Sequence, residues 1–533
     1  MTLATLTPSD KSTLASKQAA QAADARESMQ RIDTFAAQLK TIVQAAAQTA
    51  ESFDHTERAV RDTVRAVRDT VRKMGNQAIE LFIQLQGHGD LGETVLTQDG
   101  NTLHRSESTH QTTIRSTFGT HHFEQFTYAP GVKRAIELRP ISARMSLPQR
   151  QWTFLLQELS QMLAVDQAYE QAMNNLGEIL GGNFSVDTAE KINAELGTVA
   201  GDFLNRLPDP LPESEAKLLV TSADCKGVPL VKEDSAKVAA FETAKKNPGN
   251  RRMATVASVY TVDPHVRTAE DITAALFRDD RDDSKEKIKR PRPQNKNTTA
   301  HFPEVQENGD GRDVSISGIH VAMAWIMVQV AARRRPGQVL IALMDGQESL
   351  WQTMMLHISF GPRTVPILDI LHALAYVWEA SKLFSKDDAV RKAFTRERLL
   401  RILRGEVRGV IKGLRRLGTT QKLKGDAKKD LFRICNYLEN NADRMRYDEY
   451  LRRGYPIASG VIEGACRHLV KDRMERSGMR WTLDGARSML NVRAAFQSDH
   501  WRGFLDDRVQ QEITSTHRHR ELLHDYQAFA LAC

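Results

Sequence analysis

The hydrophobic pattern at the start of the chain predicts helices. Residues 1 to 87 are rich in Ala, Gln and charged residues with helical periodicity, and the heptapeptide AVRDTVR occurs twice in succession from Ala59. The repeat produces one apolar seam with alternating spacings of four and three, formed by Val60, Val64, Val67 and Val71. The seam fits a coiled coil that joins two copies of the chain, and it equally fits a helix packed on its own domain.

Short β-like runs follow over residues 88 to 145. Turn signals at Asp99-Gly100 and at Gly119 separate runs in which apolar and polar residues alternate loosely, as in half-exposed hairpins. A small hairpin-rich domain is therefore predicted. No cysteine or suitably spaced partner accompanies its histidines, so three of them are interpreted as hairpin surface residues: His110, His121 and His122.

Residues 146 to 212 return to a helical pattern. Gly181-Gly182 is predicted to end one helix and Ser185 to cap the next. The second helix has an inward face of Ala189, Ile192 and Leu196. This outline is typical of a helix-turn-helix that binds the major groove, but the second helix carries acidic residues that phosphate would repel. A structural helix pair remains the alternative.

Residues 213 to 372 contain apolar runs that end in acidic residues. KLLVTSAD ends at Asp224 and QVLIALMD ends at Asp345. Strands that are hydrophobic throughout belong to sheets covered on both faces, and polar residues at their carboxyl ends face the ligand crevice. The pattern predicts an α/β core with the two aspartates side by side. Residues 278 to 313, mostly charged residues, Pro, Asn and Gly, are predicted to be mostly a mobile loop, with one short strand near Thr298 to Phe302.

Residues 373 to 454 read as helices throughout. Their apolar stripe consists of Leu399, Leu403, Val407, Val410, Leu414 and Leu417. Much of the remaining surface is basic, with Arg401, Arg404, Arg408, Lys412, Arg415 and Arg416. Like charges at this density destabilise a helix unless something neutralises them, which favours contact with DNA phosphate over a merely solvated face.

The last segment, residues 455 to 533, begins with a glutamate among basic residues. In YPIASGVIEGACRHLVKDRMERSGMRW, Glu463 lies early on a predicted helix that also carries Arg467, His468 and Lys471. Taken alone, Glu463 would be an ion-pair partner of Arg467, four residues later. Together with the two strand-terminal aspartates, it suggests a carboxylate among phosphate-binding groups.

At these residues the chain resembles the DDE transposases of bacterial insertion sequences, specifically the ISKra family, whose catalytic domain has an RNase H-like fold. The resemblance covers about Glu93 to Asp506. It is carried by DCKGVPL from Asp224, RRMATVASVYTVDP from Arg251, LMDGQESLW from Leu343, ILDILHALAYVWEA from Ile367, and the segment from Tyr455 to Trp481. The resemblance implies a multidomain, mainly α protein whose RNase H-like α/β core is interrupted by the all-helical insertion.

The resemblance also implies a catalytic site. Asp224, Asp345 and Glu463 correspond to the catalytic, metal-binding triad, and Asp369 and His372 to the supporting Asp-x-x-His signature. The implied cofactor is a pair of Mg²⁺ ions, for which Mn²⁺ could substitute. Taken alone, Asp369 would be a helix cap and His372 a core histidine. The chain departs from the family at Cys225, where glycine usually follows the first aspartate, and a thiol there is expected to narrow the metal pocket or to sensitise it to oxidation.

Composition agrees with a DNA-binding protein without proving one. The 533 residues include 74 Lys and Arg against 67 Asp and Glu, a formal net charge of +7. Four scattered cysteines without a C-x-x-C pair argue against a zinc site and a disulfide framework. No signal peptide or run long enough to span a bilayer is found, so a bacterial cytoplasmic location without membrane contact is predicted.

The predicted function is therefore cleavage at insertion-sequence ends followed by strand transfer. The implied partners are double-stranded DNA, both terminal inverted repeats and target, and further copies of the chain in a homodimer or higher oligomer on DNA. Two alternatives stay open at this point. One is an inactive or domesticated relative that only binds DNA, and the other is an RNase H-like nuclease that recognises DNA shape.

Overall fold

The computed structural model describes residues 8–49, 56–239, 249–278, 290–307, 309–311, 313–358, 361, 363–476 and 478–527. The chain forms two compact units. The first comprises the residues up to Ile192 together with those from Leu505, and the second runs from Asn193 to Phe504. The protein is mostly helical, with a mixed five-stranded sheet and small antiparallel sheets. Within the described ranges, no helix is both long and apolar enough to cross a membrane.

The first unit begins with two long helices, α1 (Pro8–Thr49) and α2 (Thr56–Gln84), that pack against each other. Ser28 links them, because it accepts a hydrogen bond from Gln77 at 2.9 Å and donates one to Gln84 at 3.0 Å. The predicted helices are confirmed for the described part of this region, which leaves out residues 1–7 and 50–55. Along the AVRDTVR seam, three valines remain exposed: Val60, Val64 and Val71.

The predicted hairpins also form. Their strands are β1 (Thr94–Leu96), β2 (Thr102–Arg105), β3 (His110–Arg115), β4 (Thr120–Gln125) and β5 (Tyr128–Ala129). β1, β2 and β5 make one antiparallel sheet, and β3 pairs with β4 across the predicted turn at Gly119. One prediction is wrong: His121 is fully buried, because its side chain points inward and contacts Ser116 Oγ at 2.9 Å. His110 and His122 are exposed as predicted.

Helices follow the hairpins, namely α3 (Pro140–Arg144), α4 (Phe154–Ala164), α5 (Tyr169–Leu180) and α6 (Val186–Asn205). Gly181 ends α5 with a positive φ of 79°, and Ser185 Oγ accepts the Thr188 N–H at 3.2 Å near the start of α6. The inward face of α6 is buried as predicted. The helix pair is therefore confirmed, and its binding to DNA stays a prediction.

The second unit is built on a mixed sheet. Its first half contains β6 (Leu218–Pro229), α7 (Lys232–Ala239), β7 (Arg251–Val262), α8 (Ala269–Phe277) and β8 (Gln294–His301). Then come β9 (Glu304–Glu307), β10 (Asp313–Ile316), α9 (Gly318–Arg333), β11 (Val339–Met344), α10 (Glu348–His357) and β12 (Thr364–Leu368). The strand order is β12-β11-β6-β7-β8. β6, β11 and β12 run parallel, whereas β7 is antiparallel to both β6 and β8.

Strand β6 does not end at Asp224 as predicted. Its parallel pairing with β11 stops at Thr221, but its antiparallel pairing with β7 continues to Pro229. The antiparallel partner supplies ladder hydrogen bonds to the less hydrophobic second half of β6, so the strand persists after the apolar run ends. Asp224 therefore lies within β6, three residues beyond the end of the pairing with β11.

The predicted loop over residues 278 to 313 is largely wrong for its described part. It contains β8 and β9, and β9 pairs with β10, which begins at Asp313. β8 overlaps the short strand predicted at Thr298 to Phe302 but begins earlier, at Gln294, and its Thr298 and Thr299 are buried against β7. The Thr298 N–H donates to Ser498 Oγ at 3.1 Å, and such side-chain bonds satisfy a polar edge strand. Residues 279–289 lie outside the described part.

The insertion after β12 is helical, as predicted. It consists of α11 (Ile370–Phe384), α12 (Asp388–Leu403), α13 (Val407–Thr420), α14 (Gly425–Asn440) and α15 (Tyr447–Arg452), with one 3₁₀ turn. Its apolar stripe is divided between α12 and α13, because Gly405 adopts a φ of 85° between them. All stripe residues except the half-buried Leu417 are buried in the same cluster as Val220 and Ile341 of the sheet. The insertion and the sheet therefore share one hydrophobic core.

The remaining elements complete the unit. They are α16 (Gly460–Ala465), a π-helix at Cys466–Lys471, α17 (Asp472–Met474), α18 (Leu483–Gln497) and the start of α19 (Trp501–Thr516), whose residues from Leu505 belong to the first unit. The buried Arg493 donates to the carbonyl oxygens of His468 and Leu469. These bonds satisfy backbone groups in the π-helix, where the widened turn disturbs ordinary helical pairing.

Candidate active site

The mixed sheet brings Asp224 and Asp345 together. β6 and β11 are parallel and in register at Thr221 and Ala342, and each aspartate lies three residues further along its own chain segment. Ser222 Oγ also donates to the Leu343 carbonyl at 2.5 Å, which holds the two strands together just before the aspartates. The strand pattern in the sequence thus leads to neighbouring carboxylates.

Asp345 occupies a desolvated position after β11. The Gln347 N–H donates to its Oδ1 at 2.9 Å, and the Trp351 indole donates to its backbone carbonyl at 2.6 Å. Burial raises the pKa of Asp345, and the negative charge of Asp224 raises it further, whereas the nearby His372 opposes the shift. The site therefore holds negative charge that its own protein surroundings do not fully neutralise.

Asp369 follows β12 and caps α11. It is fully buried, and its Oδ1 accepts the Leu371 N–H at 2.9 Å while its own N–H donates to the Met344 carbonyl at 2.9 Å. Ser459 Oγ donates to the second oxygen, Oδ2. Asp369 is thus the helix cap that one reading of the sequence allows, and it also faces the acidic cluster.

Glu463 reaches the cluster from α16. Ligand atoms of Asp369, His372 and Glu463 all lie within 4.8 Å of one another, a spacing at which they could hold a metal ion. Partial desolvation raises the pKa of Glu463, and the charges of Asp369 and Asp224 raise it further. Within the described residues, the set with this spacing is Asp369, His372 and Glu463. The triad that the resemblance implies does not have this spacing, because Asp224 and Asp345 lie outside the set.

The donor set fits hard divalent cations. Such ions prefer carboxylate oxygens and retain several waters, and the cluster supplies four carboxylates from separate elements. The raised pKa values of Asp345 and Glu463 point the same way, because each reflects a carboxylate whose charge lacks compensation. The residues present could therefore hold a divalent metal ion.

Two cysteines contact Asp224, one through its thiol and one through its backbone N–H. Cys466 Sγ donates to Asp224 Oδ2 at 3.3 Å, and the Cys225 N–H donates to Oδ1 at 2.7 Å. The Cys225 side chain packs against the apolar cluster on the other face of β6, with its sulfur 3.6 Å from Thr255 Oγ1. The thiol therefore does not lie in front of the Asp224 carboxylate. Burial raises the pKa of Cys225 to about 11, which disfavours the reactive thiolate.

The helical insertion contributes a tyrosine to the edge of the site. A Cβ atom on Gly346, the residue after Asp345, would lie 2.3 Å from Tyr437 Cε2. Tyr437 stacks on Tyr376 with ring centroids 3.6 Å apart. Its buried hydroxyl lies beside the Gly346 backbone without completing a hydrogen bond to any described residue. Burial raises its pKa, as do the neighbouring Tyr376 and Asp345.

Most of the basic residues predicted to bind DNA have acidic partners in the protein. Four arginines of the insertion form ion pairs: Arg401 with Glu406 at 2.9 Å, Arg404 with Glu270 at 2.6 Å, Arg408 with Asp443 at 3.5 Å, and Arg415 with Glu439 at 2.5 Å. Internal carboxylates therefore supply the neutralisation that was assigned to phosphate. Lys412 and Arg416 have no ionic partner within the described residues, and their contact with DNA stays a prediction.

The basic residues after Glu463 are similarly divided. Arg467 lies 3.6 Å from Asp472, and His468 Nδ1 lies 2.9 Å from the same carboxylate. Lys471 is exposed and has no ionic partner within the described residues. Arg467, His468 and Lys471 all belong to the π-helix that follows α16.

Three site residues were missed by the sequence reasoning. Ser459 precedes α16 by one residue, and a serine at that position is a recognisable cap, although it bonds Asp369 instead. Cys466 is three residues after Glu463 and could have been placed on the same helical face. Nothing in the sequence indicates Tyr437, because tertiary packing of the insertion brings it to Gly346.

Comparison of the chain with protein-family models and with curated proteins finds no match to either.

Proposed function

We propose that the chain is a DDE-type transposase that cleaves DNA at insertion-sequence ends and transfers the freed strand into target DNA. The main support is that the charge of Asp224 raises the pKa of both Asp345 and Glu463, which are remote from it in sequence, and that Glu463 lies within ligand spacing of Asp369 and His372. Clusters of carboxylates with perturbed pKa values are typical of metal-dependent phosphodiester chemistry.

The strand order supports an RNase H-like core. In chain order, β6, β7 and β8 are three consecutive antiparallel strands, and β11 and β12 then add in parallel on the other side of β6. This arrangement agrees with the sheet order expected from the family resemblance. It places the carboxylates of the first and fourth of these strands side by side.

The proposed cofactor is a pair of Mg²⁺ ions, which Mn²⁺ could replace. Two bound divalent ions supply activation of an oxygen nucleophile and stabilisation of the leaving oxyanion. Asp224, Asp345 and Glu463 would hold the ions, with Asp369 close enough to contribute. His372, on the first turn of α11, sits among these carboxylates and partly balances their charge.

The protein groups themselves have clear tasks. The hydrogen bonds to Asp224 and Asp345 orient their carboxylates before any ligand arrives. Exposed cations without ionic partners, among them Lys412, Arg416 and Lys471, would hold phosphates of the DNA backbone. Such contacts position a strand without reading its sequence.

The test uses a duplex that contains the transposon end, identified from inverted repeats flanking the gene. Asp224→Asn, Asp345→Asn and Glu463→Gln should each reduce Mg²⁺-dependent nicking and joining by roughly a hundredfold or more, while end binding changes little. Asp443→Asn is the matched control, because Asp443 is 95% exposed and, in the described part of the chain, its ion-pair partner is Arg408 on the surface.

Other outcomes separate the alternatives. End binding without nicking by the unaltered protein would favour a relative that only binds DNA. Cleavage of branched DNA without joining would favour a structure-specific nuclease. Normal cleavage and joining by all three variants would contradict the proposed site.

A further inference from the structure

A cavity lies against α16, the helix that carries Glu463. It has a volume of about 580 Å³, within the usual range for small-ligand sites, and is separate from the acidic cluster. Its walls come from α16 and the π-helix, from the start of β8 and from the turn between α18 and α19. All of these elements belong to the second unit.

Helix geometry places the cavity and the acidic cluster on different faces of one helix. Gly460, Gly464 and His468, which are successive i,i+4 neighbours, line the cavity. Glu463 and Cys466 do not line it and instead contact the carboxylate cluster. A helix with its side chains is about 10 to 12 Å across, so the cavity lies within reach of the DNA strand bound at the cluster.

Two glycines keep the cavity open. A Cβ atom built on Gly460 or on Gly464 would meet no atom within 4 Å. A larger residue at either position would therefore point into empty space. The adjoining Val461 and Ala465 are partly exposed and give the wall an apolar portion against which a flat ring could pack.

The opposite wall is basic. Arg292 and Lys296 line it, and neither has an ionic partner within the described residues. This differs from the insertion, where most arginines are paired. His500 is held by Asn297 at 3.0 Å, and Asp499 is the acidic residue among those that line the cavity. The cavity thus combines an apolar portion, which suits the base of a nucleotide, with cations that have no ionic partner among the described residues, which suit its phosphate.

We infer that this cavity binds one nucleotide of the DNA strand that passes the acidic cluster. The base packs against Val461 and Ala465, and the phosphate contacts Arg292 and Lys296. This inference rests on the proposed function, and it adds a recognition site that the carboxylates do not require. At 3.4 Å per nucleotide along a strand, the bound nucleotide lies roughly three positions from the scissile phosphate.

The test measures an unstacked base directly. End duplexes carry 2-aminopurine at successive positions on either side of the cleavage site, and the full chain binds them without divalent metal, so that no cleavage occurs. Fluorescence should rise severalfold at one position only. Gly464→Leu should abolish that rise and weaken binding about tenfold, or ~1.4 kcal/mol. Gly464→Ala is the matched control and should behave like the unaltered protein, because a single methyl group leaves the cavity open.

A second measurement applies even if Gly464→Leu does not fold. Lys296→Gln should lower the slope of the salt dependence of binding by about one and should leave the protein indifferent to a neutral methylphosphonate at the responsive position. Titration with free deoxynucleoside monophosphate distinguishes a strand site from a free-nucleotide site.

The inference is overturned if no position responds, if Gly464→Leu matches Gly464→Ala, or if only the free nucleotide binds. Its failure is distinguishable from failure of the proposed function. Position-specific fluorescence without any Mg²⁺-dependent nicking would support the cavity and contradict the transposase. Cleavage with no effect of Gly464→Leu on binding or fluorescence would do the reverse.

Discussion

The Cys466 thiol donates a hydrogen bond to Asp224 Oδ2 across 3.3 Å, although the two residues are 242 positions apart in sequence. The other oxygen of Asp224 accepts the Cys225 N–H. Burial raises the pKa of Cys466, and the charge of Asp224 raises it further, so the thiol stays protonated and can donate. The helix that carries Glu463 is thereby tied directly to the strand that carries Asp224.

Removal of this bond is expected to weaken the proposed metal site. Cys466→Ala should increase the Mg²⁺ concentration needed for half-maximal cleavage roughly tenfold, because a hydrogen bond to a charged group contributes about 1.5 to 3 kcal/mol. Cys466→Ser retains a donor and should stay close to the unaltered protein. Equal Mg²⁺ dependence for the alanine and serine variants would show that the thiol acts only as a packing group.

Gly346→Ala is expected to destabilise the second unit by about 1 to 3 kcal/mol, because the new methyl group overlaps the Tyr437 ring. Urea denaturation gives the free energy of unfolding. Gly413→Ala is the control: a Cβ there meets nothing within 4 Å, and the change should stabilise its helix by up to ~1 kcal/mol. The double variant Gly346→Ala with Tyr437→Leu should recover part of the loss. Equal stability of the two alanine variants would contradict the close contact.

Two tyrosine hydroxyls in the same core should respond oppositely to removal. Tyr447 donates to the Leu368 carbonyl at 2.8 Å, so Tyr447→Phe should cost about 1 kcal/mol. The Tyr437 hydroxyl is buried without completing a bond, so Tyr437→Phe should be neutral or stabilising. Thermal unfolding of both variants at one pH makes the comparison. A loss for Tyr437→Phe as large as that for Tyr447→Phe would reveal a hydrogen bond at that hydroxyl.

In the metal-free protein, the Asp345 carboxyl should contribute a loss of stability as pH rises above about 4. The ordinary pKa of an aspartate is 3.8, and that of Asp345 in the folded protein is higher. Between these two pKa values the folded state binds more protons than the unfolded state, so unfolding becomes easier with rising pH. Asp345→Asn removes this dependence and should raise the melting temperature at pH 7 but change it little at pH 3.5.

Added Mg²⁺ provides the companion measurement. It should stabilise the unaltered protein at pH 7 more than it stabilises Asp345→Asn, because binding to the folded state alone shifts the unfolding equilibrium. Asp443→Asn, at an exposed position, should match the unaltered protein in both experiments. A melting temperature of Asp345→Asn below that of the unaltered protein at pH 7 would contradict the uncompensated charge.

Unpaired cations of the insertion should bind DNA more strongly than paired ones. Lys412→Gln and Arg416→Gln should each lower the salt-dependence slope of end binding by about one. Arg415→Gln should have a smaller effect, because Glu439 already holds that guanidinium at 2.5 Å. Slopes equal to that of the unaltered protein for all three variants would indicate that the insertion does not contact DNA.

The sequence was most informative where hydrophobic burial decides the structure. The apolar runs before Asp224 and Asp345 predicted adjacent strands, and the stripe from Leu399 predicted buried helices. It was least informative where partners from elsewhere decide. β8 extends back to Gln294, beyond the strand predicted at Thr298 to Phe302, because β7 and Ser498 satisfy its polar groups, and His121 is buried because its ring contacts Ser116.

The candidate site shows the same difference between residues that local patterns identify and residues whose positions depend on remote partners. Local patterns identified Asp224 and Asp345 after apolar runs, Glu463 among basic residues, and the Asp369 cap. The contacts of Ser459, Cys466 and Tyr437 depend on how remote elements pack, and no spacing in the chain encodes them. The neutralisation of Arg404 by Glu270, 134 residues away, is a further example.

The common core of sheet and insertion has a consequence for engineering this protein. Leu399 and Leu414 belong to the same buried cluster as Val220 and Ile341. Excision of the insertion would therefore expose a continuous hydrophobic surface on one side of the sheet. The region is therefore not a detachable accessory that could be transplanted or trimmed to a short linker. It should melt together with the strands in a single cooperative transition.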